Sequence, residues 1–120
     1  MKESNKTNAL ISKSFEFAID IVNLARYLQA EKNEYVISKQ VLRSGTSIGA
    51  NSEESQGAES LLDFIHKLKI ARKEARETHY WLRILKETGY IKKEEIINKS
   101  DELIRLLTSI ILTNEKKGNS

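Results

Sequence analysis

The sequence predicts an all-α fold: an up-and-down antiparallel four-helix bundle that assembles as a homo-oligomer. Three observations predict the bundle. Four segments carry apolar residues at alternating spacings of three and four, the seam of a packed helix. The 120 residues contain no Pro and only five Gly, so nothing forbids long helices. The connections between segments are short and polar, which makes sequential helices antiparallel neighbours. No strand alternation, internal repeat or linker divides the chain, and residues 1–120 read as one domain.

The polar residues 1–9 are expected to be frayed or disordered, as are 115–120 at the other end. Helix one is expected over about 12–30. Its seam reads Ile11, Phe15, Ala18, Val22 and Ala25, with Phe17, Ile21, Leu24 and Leu28 as a second apolar stripe beside it. So wide an apolar face implies more than one neighbour. Lys32, Asn33 and Glu34 connect to helix two, expected over about 35–55 with Ile37, Val41, Ser44, Ile48, Asn51 and Ser55 on the seam. Its middle, RSGTSIGANS, is poor helix material by propensity. Small residues there let a neighbouring backbone approach closely, and packing must offset the deficit. The rival reading is a Gly-rich phosphate loop. That motif needs Gly followed by Lys and Ser/Thr, whereas Gly49 is followed by Ala50 and Asn51.

Gln56 to Glu59 read as a turn and Ser60 as the N-cap of helix three, with Asp63 completing a variant capping box. Helix three is expected over about 61–88, roughly 40 Å long, with Gly89 as its left-handed terminator. It carries three stripes. Leu61, Phe64, Leu68, Ala71, Ala75, Thr78, Leu82 and Leu85 form the seam. Lys69, Arg72, Arg76, His79, Arg83 and Lys86 form a basic stripe one position over. Ile70, Glu74, Glu77, Trp81 and Ile84 form a third. Helix four is expected over about 94–114. Ile96, Leu103, Leu107 and Ile110 face inward, and Glu94 and Glu95 sit where the helix dipole favours acids.

Composition narrows the function. Without Cys there is no disulfide framework, thiolate metal site or Cys nucleophile. No leader-like or membrane-spanning apolar run is present, so a soluble cytoplasmic protein with no membrane partner is expected. The net charge of +3 and pI near 9.1 are only mildly basic. No cofactor motif is found.

The block SKQVLRSGTSIGANSEESQGAES followed by LLDFIHKLKIARKEARETHYWLRILKETGYI resembles the bacterial four-helix-bundle family named for the protein encoded in 23S ribosomal RNA intervening sequences. The resemblance covers about residues 35–112 and is densest over 42–51 and 63–85. It implies a homopentamer. A related branch, the accessory proteins of diversity-generating retroelements, implies a basic pentamer that binds a reverse transcriptase and nucleic acid. The family pattern Asn-Ile-Ala-Glu-Ala/Gly stands here as Asn51-Ser52-Glu53-Glu54-Ser55, so its apolar middle is lost.

Several residues attract functional readings. Asn51 on the helix-two seam reads as a buried polar residue bonding across the core and fixing register. Glu74 and Glu77 beside Trp81 read as a subunit interface pairing with a neighbour's Lys or Arg. A di-iron site is not expected, because Glu77 and His79 are two residues apart and face different ways. Arg72 and His79 lie one heptad apart, like the Arg–His pair of HEPN ribonucleases, but nothing else resembles that family. No catalytic residue is therefore assigned and a non-enzyme is expected. The basic stripe has two readings. In one, Glu16, Asp20, Glu54, Asp101 and Glu102 neutralise it, and the protein is a pure protein–protein module. In the other it tracks phosphates of RNA or DNA, multiplied by the oligomer and largely blind to sequence. The expectation is a non-enzymatic scaffold or accessory protein of the second kind.

Overall fold

The structure, a computed structural model, describes residues 2–119, with side chains from residue 5 onward. Four helices form in chain order: α1 (Lys2–Lys32), α2 (Ile37–Ser55), α3 (Leu61–Glu87) and α4 (Glu95–Gly118). Among the described residues there is no strand. Each helix packs against the next in sequence and α4 closes on α1, so the four form a bundle. Cross-helix bonds show neighbours running antiparallel. Lys6, Lys13 and Asp20 of α1 meet Ser109, Glu102 and Lys99 of α4 in reverse order. Lys69, Arg72 and Lys86 of α3 likewise meet Glu115, Thr108 and Glu94.

Both ends differ from expectation. Residues 2–9 and 115–118 are helical rather than frayed; Met1 and Ser120 lie outside the described residues. The physical reason is mutual support: the α1 extension seats a fully buried Leu10, and Lys6 Nζ donates to Ser109 Oγ of α4 at 2.7 Å.

The face of α1 also differs. Phe17, Ile21 and Leu28 of the expected second stripe are the core residues, joined by Leu10 and Ala25. Of the expected seam, Phe15 is 58% exposed, and Ile11, Ala18 and Val22 are half-buried. The helix is apolar on both stripes, and the bundle covers only one of them fully.

The α2 stretch RSGTSIGANS is continuous helix, which removes the phosphate-loop reading. Gly45 and Gly49 are buried against α1, where a Cβ would stand 2.8 Å from Ile21 Cγ1 and 3.3 Å from the Ser14 carbonyl oxygen. The helices can approach because these positions lack side chains. Ser44, Ser52 and Ser55 are buried too, and each hydroxyl bonds a carbonyl of its own helix or Thr78. No buried side-chain polar atom among the described residues lacks a partner.

Glu34 caps α2, a role the sequence reading did not assign. Its carboxylate accepts from the backbone N–H groups of Val36, Ile37 and Ser38 at 3.2, 3.0 and 2.7 Å, occupying donors that a helix start leaves open. Burial alone would raise this carboxyl's pKa, but the three N–H bonds and the Ser38 hydroxyl hold it below its usual value.

The termini of α3 follow the sequence closely. Ser60 Oγ accepts from Asp63 N–H at 3.0 Å, while Asp63 accepts from Glu59 N–H rather than from the cap itself. At the other end Gly89 adopts φ 84°, and Tyr90 N–H bonds Leu85 O at 2.9 Å while Gly89 N–H bonds Lys86 O at 3.1 Å, a Schellman closure. The α3 core is Ile65, Leu68, Ala71, Ala75, Thr78, Leu82 and Leu85, with Phe64 half-buried and Leu61 at the surface.

Candidate nucleic-acid interface

The three stripes of α3 correspond to its three surroundings. The seam faces the core. The Ile70–Ile84 stripe lies on the α2 flank, where Arg43 bonds Glu74 at 3.3 Å and also bonds Glu77. Trp81 Nε1 donates to the same Glu77 carboxylate at 3.1 Å. The Trp81 bond, followed by Arg43 and opposed by partial burial, holds the Glu77 carboxyl below its usual range. The partner expected from a neighbouring subunit is therefore Arg43 of the same chain. Ile70, Glu74, Glu77, Trp81 and Ile84 are all half-buried within one bundle. Arg43 spans both acids because α2 packs against this flank of α3.

The basic stripe lies on the α4 flank and the outer surface. Its ends are tied to α4 and to the residue before it: Lys69 pairs with Glu115 at 2.9 Å and Lys86 with Glu94, at the α4 N-cap, at 2.8 Å. Arg72 donates to Thr108 Oγ1 at 3.3 Å, which turns its guanidinium toward α4. Arg76, His79 and Arg83 make no ion pair or hydrogen bond through their side chains with any described residue, and both arginines are exposed. None of the five acids expected to neutralise the stripe pairs with it, and three of them serve other cations. Asp20 pairs with Lys99, Glu102 with Lys13 and Asp101 with Arg105. They sit on α1 or the far side of α4, which the sequence could not place.

Beside Arg83, a shallow cleft of about 460 Å³ is lined by His79, Tyr80, Lys86 and Glu94. Tyr80 is 53% exposed and stands edge-on to Trp81 at 5.3 Å between centroids. Tyr80, four residues on from Arg76, places an aromatic ring beside Arg83.

Asn51 does not bond across the core. It is half-buried, and its Nδ2 donates to Ser47 O of its own helix at 2.9 Å. The buried polar link between helices is Thr78 Oγ1 to Ser44 Oγ, at 2.9 Å. Among the described residues no three His, Asp or Glu side chains gather where a metal ion could be held, and no helix is long and apolar enough to cross a membrane.

The family of the 23S rRNA-intervening sequence protein matches residues 6–110. The chain belongs to that family. It is also similar to a crystal structure, at 1.70 Å resolution, of a protein of unknown function from the S23 ribosomal protein family of Bacteroides thetaiotaomicron VPI-5482. That protein is 55% identical, with a TM-score of 0.85 over 88% of this chain and 97% of the other. No curated protein matches the chain.

Proposed function

We propose that this member of the family is a non-enzymatic, homo-oligomeric helical scaffold that holds RNA or DNA by its phosphate backbone along the outer α3 surface. One observation carries the reading. Arg76 and Arg83, with His79 between them, share one face of α3 and pair with no acid among the described residues. Like charges so spaced cost stability, and a polyanion laid along the face would remove that cost. Five copies, the number the resemblance implies, would repeat the stripe around a ring. A second surface supports the assembly: Phe15 and Ile19, 58% and 48% exposed, extend the half-buried Ile11 and Val22 along α1. An exposed aromatic–aliphatic patch of this kind usually marks an interface. It suits a second copy on the side of the bundle away from the basic face.

The test is a titration of a mixed-sequence RNA and a DNA duplex at low and moderate salt. Binding should weaken steeply with salt and depend little on sequence. Arg76→Ala/Arg83→Ala should remain folded and lower the slope of log K against log salt by about 2 for each copy engaged on duplex DNA. Absence of binding at low salt, or binding indifferent to the double variant, would put the protein–protein module ahead.

A further inference from the structure

A second cleft, of about 730 Å³, opens at the end of the bundle where α1 finishes and residues 88–94 cross to α4. Its volume lies within the span of small-molecule sites, about 300–1,000 Å³. One wall is the last turns of α1, with Tyr27 and Lys32; the other is the connection, with Tyr90, Lys92 and Lys93. Ile91 and Ile96 line the cleft between them and are half-buried.

The charges here are unevenly matched. Two acids border the cleft, Asp20 and Glu95, and both are held by Lys99, at 2.9 and 3.6 Å. Lys32, Lys92 and Lys93 make no ion pair with any described residue. Lys32 Nζ stands 5.9 Å from the Tyr27 ring centroid, so a cation and an aromatic ring are already side by side. The Schellman turn at Gly89 directs the chain back across the bundle end, and Lys92 and Lys93 line the same cleft as Tyr27 and Lys32 of α1.

Three ammonium groups beside two phenol rings and an isoleucine lining suit one ligand chemistry. A bare inorganic anion would leave the rings unused, and an uncharged aromatic would leave the cations unused. We propose that this cleft binds a nucleotide, its phosphate on Lys92 and Lys93 and its base against Tyr27 and Tyr90. Stacking on aromatic rings is available to every base, so the cleft selects for a phosphorylated nucleoside rather than for base identity. None of the α3 stripe residues takes part, and the inference stands independently of the backbone-binding reading.

The experiment is isothermal titration of the full chain at low salt with AMP, adenosine and inorganic phosphate. AMP should bind, and adenosine and inorganic phosphate should each bind at least about ten-fold more weakly. Lys92→Ala/Lys93→Ala should weaken AMP by about ten-fold or more, and Tyr27→Ala should act in the same direction. All three side chains are exposed, so helix content by circular dichroism should be unchanged. Arg76→Ala/Arg83→Ala should leave AMP binding intact, which separates this site from the stripe. In that double variant, a 5′-phosphorylated RNA decamer that competes with AMP while its 5′-hydroxyl counterpart does not would identify a strand terminus as the ligand. Failure of both decamers to compete would identify the free nucleotide. Lack of AMP binding at millimolar concentration, inorganic phosphate binding as tightly as AMP, or AMP binding that survives Lys92→Ala/Lys93→Ala would overturn the proposal.

Discussion

Gly45→Ala tests how closely α1 and α2 are packed, and the two effects of the substitution oppose each other. On propensity alone the change should stabilise α2 by about 0.8–1 kcal/mol. The new Cβ, however, would stand 2.8 Å from both Cγ1 and Cγ2 of Ile21 and 3.2 Å from its Cβ. These atoms lie at the branch of a β-branched side chain that is completely buried, so no rotamer change moves both aside. Overpacking of this kind costs about 1–3 kcal/mol. The cost exceeds the gain, and Gly45→Ala should lose about 1 kcal/mol net. The sign should reverse in an Ile21→Ala background. There the clashing atoms are gone, part of the cavity is refilled, and Gly45→Ala should stabilise by about 1 kcal/mol, a coupling of about 2 kcal/mol. Urea unfolding of the four variants at one fixed protein concentration measures the cycle. Gly49→Ala is an internal comparison: its Cβ would meet Ser14 at 3.3–3.4 Å, so its cost should be smaller. If Gly45→Ala alone stabilises the protein by the full propensity increment, the α1–α2 contact is looser than described and the reasoning fails.

Two further outcomes are expected. Glu34 contributes stability that is complete above the ordinary Glu pKa of about 4.3 and is lost as pH falls through its depressed folded-state value. Glu34→Gln should therefore cost about 1 kcal/mol near pH 7, with the gap to wild type closing below about pH 4; a gap unchanged at pH 3 would assign the loss to shape rather than charge. Light scattering should give wild type a mass several times 13.7 kDa, and Phe15→Lys/Ile19→Lys should lower it without loss of helix; a wild-type monomer at micromolar concentration would remove the interface.

Which parts of the fold were legible depended on whether local chemistry and tertiary packing agreed. In α3 they did: one apolar stripe, a Ser cap and a Gly terminator at matching ends leave a single solution, and the helix runs from Leu61 to Glu87. In α1 two apolar stripes compete. Periodicity measures that a face is apolar, and it does not say which of two such faces a neighbour covers. Phe17 and Phe15 are equivalent by that measure, yet one is 2% and the other 58% exposed. The start of α2 was illegible for another reason. Its cap comes from Glu34 in the connection, and a Glu is not a usual capping residue unless the chain folds back to aim it. That fold-back needs Asn33 at φ 53° and the Glu34 N–H on Leu28 O.

The basic stripe was visible because five cations and a histidine on one helix share a face by arithmetic alone. Their electrostatic state was not, since it depends on where the acids of other helices land. Asp20 and Glu102 had the right charge to neutralise the stripe but lie along the α1–α4 seam, committed to Lys99 and Lys13. Only the two ends of the stripe meet an acid of α4 or of its N-cap, leaving the middle open. The cleft at the bundle end was less visible still. Tyr27 and Lys32 stand some sixty residues before Tyr90, Lys92 and Lys93, and no periodicity relates them. Closure of α4 on α1 brings them together, and the Gly89 turn sets the direction of the connection. A helix face can be read from spacing within one segment. A site built between a helix end and a distant connection exists only in the folded chain, so its residues look like ordinary surface lysines and tyrosines until the bundle closes.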